Sequence, residues 1–264
     1  MCNMQQLYEN ENDIWDRKLP ETVIERIHLT VGMTPSDANT IVDVGSGDGR
    51  ITNLLRRAGY DPVACDISHG ALKRIQNTRR VQASVDHLPF LSFSFDLVIA
   101  SELIEHIPDH IFPSSLKELS KISKKYILIT VPYREILEWN AARCPSCGCI
   151  FNGAYHLRSF DEERLRSLFT EFECVSLQKI VSVLHPDRTA GIELFIRHKL
   201  AEEYLYYGPG IKCPLCFCRI ETPPPRNFIG WIATGIRFIY RLFNRKQTPL
   251  WFLVLYKRKA GPSL

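Results

Sequence analysis

Residues 41–49, Ile41-Val42-Asp43-Val44-Gly45-Ser46-Gly47-Asp48-Gly49, decide the fold. A short β-branched run passes straight into three glycines at alternate positions. Arg50 to Ala58 then carries Ile51, Leu54 and Leu55 at helical spacing. A strand that turns on glycines into a helix opens a βαβ unit. Glycines let the backbone turn tightly and approach a ligand, and the helix N-terminus adds partial positive charge. Dinucleotide-binding folds share such a turn, but two features differ here. The spacing is G-x-G-x-G rather than G-x-G-x-x-G, and Asp43 lies inside the strand, two residues before the first glycine. That carboxylate repels a pyrophosphate and suits a ligand carrying an ammonium and a sulfonium.

Outward from this stretch the alternation continues. Pro62 to Cys65 reads as a second strand and Gly70 to Thr78 as a second helix. Val81 to Val85, Phe95 to Ala100 and Tyr126 to Val131 supply three more strands, with a helix at Leu116 to Ile122 and an amphipathic lead-in helix at Pro20 to Val31. Strands alternating with helices imply right-handed crossovers and a parallel sheet covered on both faces. After Val131 the rhythm breaks: residues 133–156 show no convincing strand. Asp161 is an N-cap with acids in the following turn. Cys174 to Leu184 reads as a sixth strand, and Trp251 to Tyr256 as a seventh. The expected organisation is a lead-in region (1–39), a ligand-binding half (40–132), an insertion (133–157), a return to the core (158–185), a second insertion (186–249) and a last strand with a basic tail (250–264).

Asp66 closes the second strand, where a carboxylate can accept from both hydroxyls of a ribose. Asp86 follows the third strand, where an acid can accept from an adenine amino group. Three acids at the C-terminal ends of successive parallel strands lie on the edge where α/β folds bind ligands. The stretches 41–49, Cys65-Asp66-Ile67-Ser68, Asp86-His87-Leu88-Pro89-Phe90 and 94–102 (Ser94 to Glu102) together resemble the four successive motifs of class I S-adenosylmethionine methyltransferases. The resemblance implies a doubly wound, Rossmann-like α/β sheet of seven strands, the last inserted antiparallel, and S-adenosylmethionine as cofactor. It assigns Gly45 and Gly47 to the methionine portion, Asp66 to the ribose, and Asp86 with His87 to the adenine region. Asp43, Ser46, Ile67 and Ser101 stand beside them as donor-site residues.

Methyl transfer is an in-line displacement, so a protein mainly aligns donor with acceptor and removes a proton from a hydroxyl. Glu102, Glu105 and His106 follow the fourth strand and are the candidate catalytic residues. His106 is the best general base, because an imidazole titrates near neutrality. With His156, the same three also resemble the divalent-metal cluster of small-RNA 3′-terminal 2′-O-methyltransferases. A magnesium-like ion there would hold neighbouring ribose hydroxyls.

Cys144-Pro145-Ser146-Cys147 and Cys213-Pro214-Leu215-Cys216 each have the spacing of a zinc knuckle. Two thiolates from each would complete a closed structural zinc site tying the two insertions together, with Cys149 and Cys218 as competing ligands. The chain has 264 residues, 45% of them hydrophobic, enough for one large domain. Its net charge of +4 is uneven: from Arg219 onward there are nine Lys/Arg and one acid, Glu221. Within that tail, 228–245 has helical period, with Arg237, Arg241 and Arg245 on one stripe and a wide apolar face opposite. Such a helix suits a membrane interface or packs on the domain.

No apolar run approaches the roughly 20 residues a bilayer requires. The expected location is the cytoplasm, with peripheral contact at the inner membrane face. The Cys-Pro-x-Cys-Gly insertion, the stretch His156 to Glu163 and the Trp-Phe-Leu-Val-Leu-Tyr ending resemble a bacterial set of methyltransferases associated with cell-surface polysaccharide or glycolipid assembly. That resemblance implies a sugar hydroxyl, a lipid-linked glycan or another small polar acceptor, with nucleic acid less expected. A catalytically silent scaffold is the alternative from outside the enzymes; an intact set of donor-site acids argues against it.

Overall fold

The computed structural model describes residues 4–9, 18–186, 204, 211–222, 228–229, 231 and 245–260. The chain divides into two compact units. The larger comprises residues 8–134, 159–181 and 250–264; the smaller comprises 1–7, 135–158 and 182–249.

Among the described residues the α-helices are α1 (Met4–Glu9), α2 (Glu21–Gly32), α3 (Arg50–Arg57), α4 (His69–Leu72), α5 (Phe112–Ile122) and α6 (Glu162–Arg166). Seven strands form one sheet: β1 (Ile41–Val44), β2 (Val63–Asp66), β3 (Arg79–Gln82), β4 (Phe95–Ser101), β5 (Ser123–Pro132), β8 (Phe172–Pro186) and β11 (Arg245–Arg258). Their order is β3-β2-β1-β4-β5-β11-β8. β1 pairs in parallel with β2 and β4, and β4 in parallel with β5. β11 enters antiparallel to β5, from Trp251 opposite Pro132 to Lys257 opposite Tyr126. The order reverses between β1 and β4, so a crevice opens beyond their C-terminal ends.

β1 and β4 are buried along their whole length, which explains why they read as continuous apolar runs rather than alternating ones. Alternate residues serve opposite faces. Val42, Val44, Val98, Ala100, Ile127 and Ile129 enter the core that also takes Leu119 of α5 and Leu165 of α6. Ile41, Leu97, Ile99 and Leu128 enter the core beneath Ile27 of α2 and Leu55 of α3. Asp161 caps α6 as expected, accepting from the Arg164 N–H.

Two expectations shift. The second helix ends at Leu72 rather than Thr78, because Arg80 of β3 donates to the carbonyls of Leu72 and Ile75 and Asn77 takes a left-handed φ of 55°. The third strand therefore runs 79–82 rather than 81–85, its register fixed by the four residues of β2. Asp86 lies in the turn beyond it.

In the smaller unit, the stretch expected to lack strands holds a hairpin of β6 (Ala141–Arg143) and β7 (Ile150–Asn152). Three-residue strands carry no visible alternation. A second hairpin, β9 (Ile211–Lys212) and β10 (Arg219–Ile220), has the same plan. The basic helix expected at 228–245 falls mostly outside the described residues. Among the described residues, no helix is long and apolar enough to cross a membrane.

Asp96 fixes the entry to the sheet. It accepts from the N–H groups of Asn39 and Thr40 at 3.0 and 3.2 Å and pairs with Lys125 at 3.4 Å. Burial pushes its carboxyl up, but those donors outweigh it and the net shift is downward. A depressed carboxyl contributes stability above its unfolded value of 3.8, lost as pH falls through the lower folded value. Asp96→Ala should cost about 2 kcal/mol at neutral pH. In thermal unfolding, the gap from wild type should narrow as pH drops below 3.8.

Candidate functional site

The turn after β1 is built on backbone bonds. Gly45 and Ser46 donate to the Cys65 carbonyl at 2.8 and 3.1 Å, which joins the ends of β1 and β2. Gly45 has φ of 74°, and a Cβ there would lie 2.9 Å from the Leu103 side chain. A glycine is therefore required twice over, by backbone conformation and by the close approach of the β4 tip.

Asp66 at the end of β2 accepts from the Gly47 N–H and the Ser68 N–H, both at 2.8 Å. Burial raises its carboxyl above the ordinary value against the pull of those donors. Ile67 follows in the same turn. Asp43 is 1% exposed, and Thr52 of α3 donates to it at 2.7 Å. Burial pushes it up to about 6, with the Thr52 hydroxyl opposing and Asp66 adding to the rise. Asp86 accepts from Ser84 and meets His87 Nδ1 at 2.9 Å; the His87 ring is otherwise exposed. These groups rim the C-terminal ends of β1, β2 and β3, the edge that holds ligands in open α/β sheets.

The tip of β4 forms the neighbouring wall. Glu102 has φ of 52°, uncommon for a side chain of its size. Its Oε2 accepts from Trp251 Nε1 at 2.8 Å, and its Oε1 turns inward toward Arg26 Nη1 at 3.8 Å. Arg26 donates to Ser101 Oγ at 2.8 Å and Thr130 Oγ1 at 3.2 Å, and its guanidinium lies 5.4 Å from the Trp251 ring centre. Glu105 is wholly buried. His106 Nδ1 lies 3.2 Å from the Tyr8 hydroxyl. Tyr8 also accepts from Ser68 Oγ through its carbonyl, which links the end of α1 to the turn after Asp66. His156 belongs to the smaller unit. Its Nδ1 engages Glu135, which in turn accepts from Asn140 and Asn152.

The sequence singled out Glu102, Glu105 and His106 but not the residues that hold them. Arg26, Trp251 and Tyr8 lie far away in the chain and carry no local signal. Thr52, Asp43's donor, was hidden in an ordinary helical pattern.

Each knuckle is the tip of one hairpin. Cys144 N donates to the Cys149 carbonyl and Cys213 N to the Cys218 carbonyl, at 2.9 and 3.0 Å. The Sγ atoms of Cys144 and Cys216 lie 3.6 Å apart, as do those of Cys147 and Cys213, and all four fall within 4.8 Å of one another. A tetrahedron with bonds of about 2.3 Å has edges of about 3.8 Å, so the four sulfurs fit a zinc ion. Cys149 and Cys218 instead point to backbone carbonyls.

The glycine turn and the carboxylates beside it thus stand at the ligand edge of a mixed seven-stranded sheet. A family model described as a methyltransferase domain matches residues 15–179, and the chain belongs to that family. An uncharacterised protein of Methanocaldococcus jannaschii is 31% identical over 116 residues, 42% of this chain and 49% of the relative. A ubiquinone biosynthesis O-methyltransferase of Xylella fastidiosa is 28% identical over 109 residues, 36% of this chain and 44% of the relative. The chain thus matches about half the length of these relatives. Among solved structures, a SAM-dependent methyltransferase of Thermotoga maritima shares the fold with a TM-score of 0.55 at 16% identity, covering 97% of this chain and all of the other. One of Archaeoglobus fulgidus gives 0.53 at 16% identity over 90% and 94% of the two chains.

Asp43 yields a test with two signs. A carboxyl raised on folding destabilises the native state once pH exceeds its unfolded value of 3.8, and the loss is complete above about 6. Asp43→Asn should therefore be the more stable protein well above pH 6, on the order of 2 kcal/mol, and equal to wild type at low pH. Calorimetry should show it binding S-adenosylmethionine about tenfold more weakly.

Proposed function

We propose that the protein methylates oxygen on a small polar acceptor, a sugar hydroxyl or the glycan of a lipid-linked carrier. The observation that carries this reading is Glu102. It is pinned between Trp251 and Arg26 at the end of β4, on the acceptor side of the donor turn. A fixed carboxylate can only accept, so it orients an acceptor that donates a hydrogen bond. His106, in the turn after the same strand, takes the proton as the carbon–oxygen bond forms and the carbon–sulfur bond breaks. Glu105 backs that turn from the core. The O-methyltransferase names of the curated relatives support oxygen as the acceptor atom.

A second reading is metal-dependent methylation of an RNA ribose through Glu102, Glu105, His106 and His156. The Glu135–His156 pair favours it, because a carboxylate on the far nitrogen is how metal-binding imidazoles are commonly oriented. Peripheral membrane contact through 228–245, with a cytoplasmic location, completes the glycan reading. The four knuckle sulfurs would hold a structural zinc, closing the smaller unit without taking part in transfer.

Radiolabelled methyl from S-adenosylmethionine, supplied to fractionated lysate of cells lacking the protein, tests the acceptor. Label in the organic-extractable or polysaccharide fraction supports the glycan. Metal-dependent label in RNA favours the second reading, and donor binding without any label favours a silent scaffold. With an acceptor fraction in hand, Trp251→Phe should lower kcat about tenfold at unchanged donor affinity. Glu102→Gln combined with it should lose little more than Glu102→Gln alone. Elemental analysis should find about one tightly held zinc per chain, reduced in Cys216→Ser.

A further inference from the structure

We propose that the edge of the sheet opposite the donor turn docks on an anionic phospholipid bilayer. The parallel strands begin at this edge and antiparallel β11 ends there. Because Lys257 faces Tyr126 in register, Lys124 and Lys125 at the head of β5 stand beside Lys257, Arg258 and Lys259. A cleft of about 230 Å³ lies between them. A neighbouring cleft of about 410 Å³ adds Lys117 and Lys121 of α5, and Arg258 lines both.

These seven cations meet four carboxylates. Lys121 pairs with Glu118, Arg258 with Glu171, and Lys125 with both Asp37 and Asp96. Lys117, Lys124 and Lys257 are exposed and take no part in those pairs. The excess charge by itself would suit any polyanion.

Leu91 and Phe93 decide the partner. They lie on the turn before β4 and are 84% and 56% exposed. Phe93 takes a left-handed φ of 59°, its N–H donating to the Lys121 carbonyl at 2.8 Å. The Arg258 guanidinium lies 4.9 Å from its ring centre. Two apolar side chains therefore project from among the lysines. A bilayer interface accommodates both halves of that arrangement: apolar tips enter the acyl boundary while ammonium groups stay with the phosphates. A nucleic acid could stack on Phe93 but would leave Leu91 in water.

β4 spans seven residues, so the donor turn would stand about 20 Å from the docked edge and face the aqueous side. The proposal draws on no residue of segment 228–245 and does not depend on which acceptor is methylated.

The test is co-sedimentation of the full chain with vesicles of phosphatidylcholine, with or without about 30% phosphatidylglycerol. Binding to the anionic vesicles should be at least about tenfold stronger and should weaken with added salt. Lys124→Glu with Lys257→Glu should lose about tenfold, and Leu91→Ser alone several-fold. All three side chains are exposed, so thermal unfolding and S-adenosylhomocysteine binding should stay unchanged. The proposal is overturned by indifference to lipid charge or by wild-type binding in the triple variant. It is also overturned if binding is lost only when Arg237, Arg241 and Arg245 are replaced, or if polyuridylate is retained in place of vesicles.

Discussion

A guanidinium buried at the ligand edge of the sheet sets conditions that much of the larger unit has to meet. Arg26 is 8% exposed, and an unpaired charge so placed would cost several kcal/mol. α2 carries it, and its partners come from three other elements: β4 and β5 supply the Ser101 and Thr130 hydroxyls, and β11 supplies the Trp251 ring. Glu102 completes the set. A left-handed glutamate costs on the order of 1 kcal/mol or more and persists only where its surroundings over-determine it. The indole, the guanidinium and the Glu102 N–H bonded to the Thr130 carbonyl do that here. The candidate acceptor wall therefore depends on a strand at the far end of the chain.

That strand is itself a packing necessity. Phe252, Leu253, Val254 and Tyr256 are buried, and without them β5 would present an apolar edge open to pairing with another chain. Tyr256 shows how completely the strand is absorbed: its hydroxyl donates to the Leu165 carbonyl at 2.7 Å, and burial pushes the phenol well above its ordinary value. One strand thus covers the flank of β5 and delivers Trp251 to the ligand edge.

The candidate donor turn was legible because its determinants are local. Asp43, the glycines and the helix after them follow one another along the chain, Asp66 closes a short strand, and Asp86 lies in the turn that follows the next one. The candidate acceptor wall was legible only in part. Glu102, Glu105 and His106 could be picked out by position after β4, but nothing in Ser101-Glu102-Leu103 announces a left-handed backbone. No pattern in α2 marks Arg26 as the inward residue that holds it; its neighbours simply alternate as in any amphipathic helix. The edge of the sheet was misjudged for a related reason. Val81 and Val85 look like strand residues, yet β3 is an edge strand whose pairing partner ends at Asp66, and partner length outweighs propensity. The two hairpins escaped notice because two or three residues per strand leave no period to detect.

The knuckles raise a point that spacing alone does not. In the first, the residue after the second cysteine is Gly148, with φ of 74°; in the second it is Phe217, with φ of 59°. Each donates its N–H to the carbonyl of its hairpin's first cysteine, at 3.0 and 2.9 Å. A phenylalanine in that conformation is strained by roughly 1–2 kcal/mol, and a two-residue strand pair has little to oppose it. The strain has to be met by another constraint. Tyr155 supplies part of it, exchanging hydrogen bonds with both backbone groups of Lys212 and so fastening the first hairpin to the second. Four thiolates drawn onto one ion would supply the rest, because ligand geometry fixes both loops at once whatever residue follows the second cysteine. Phe217 therefore marks a backbone requirement at the second knuckle that cysteine spacing alone does not carry.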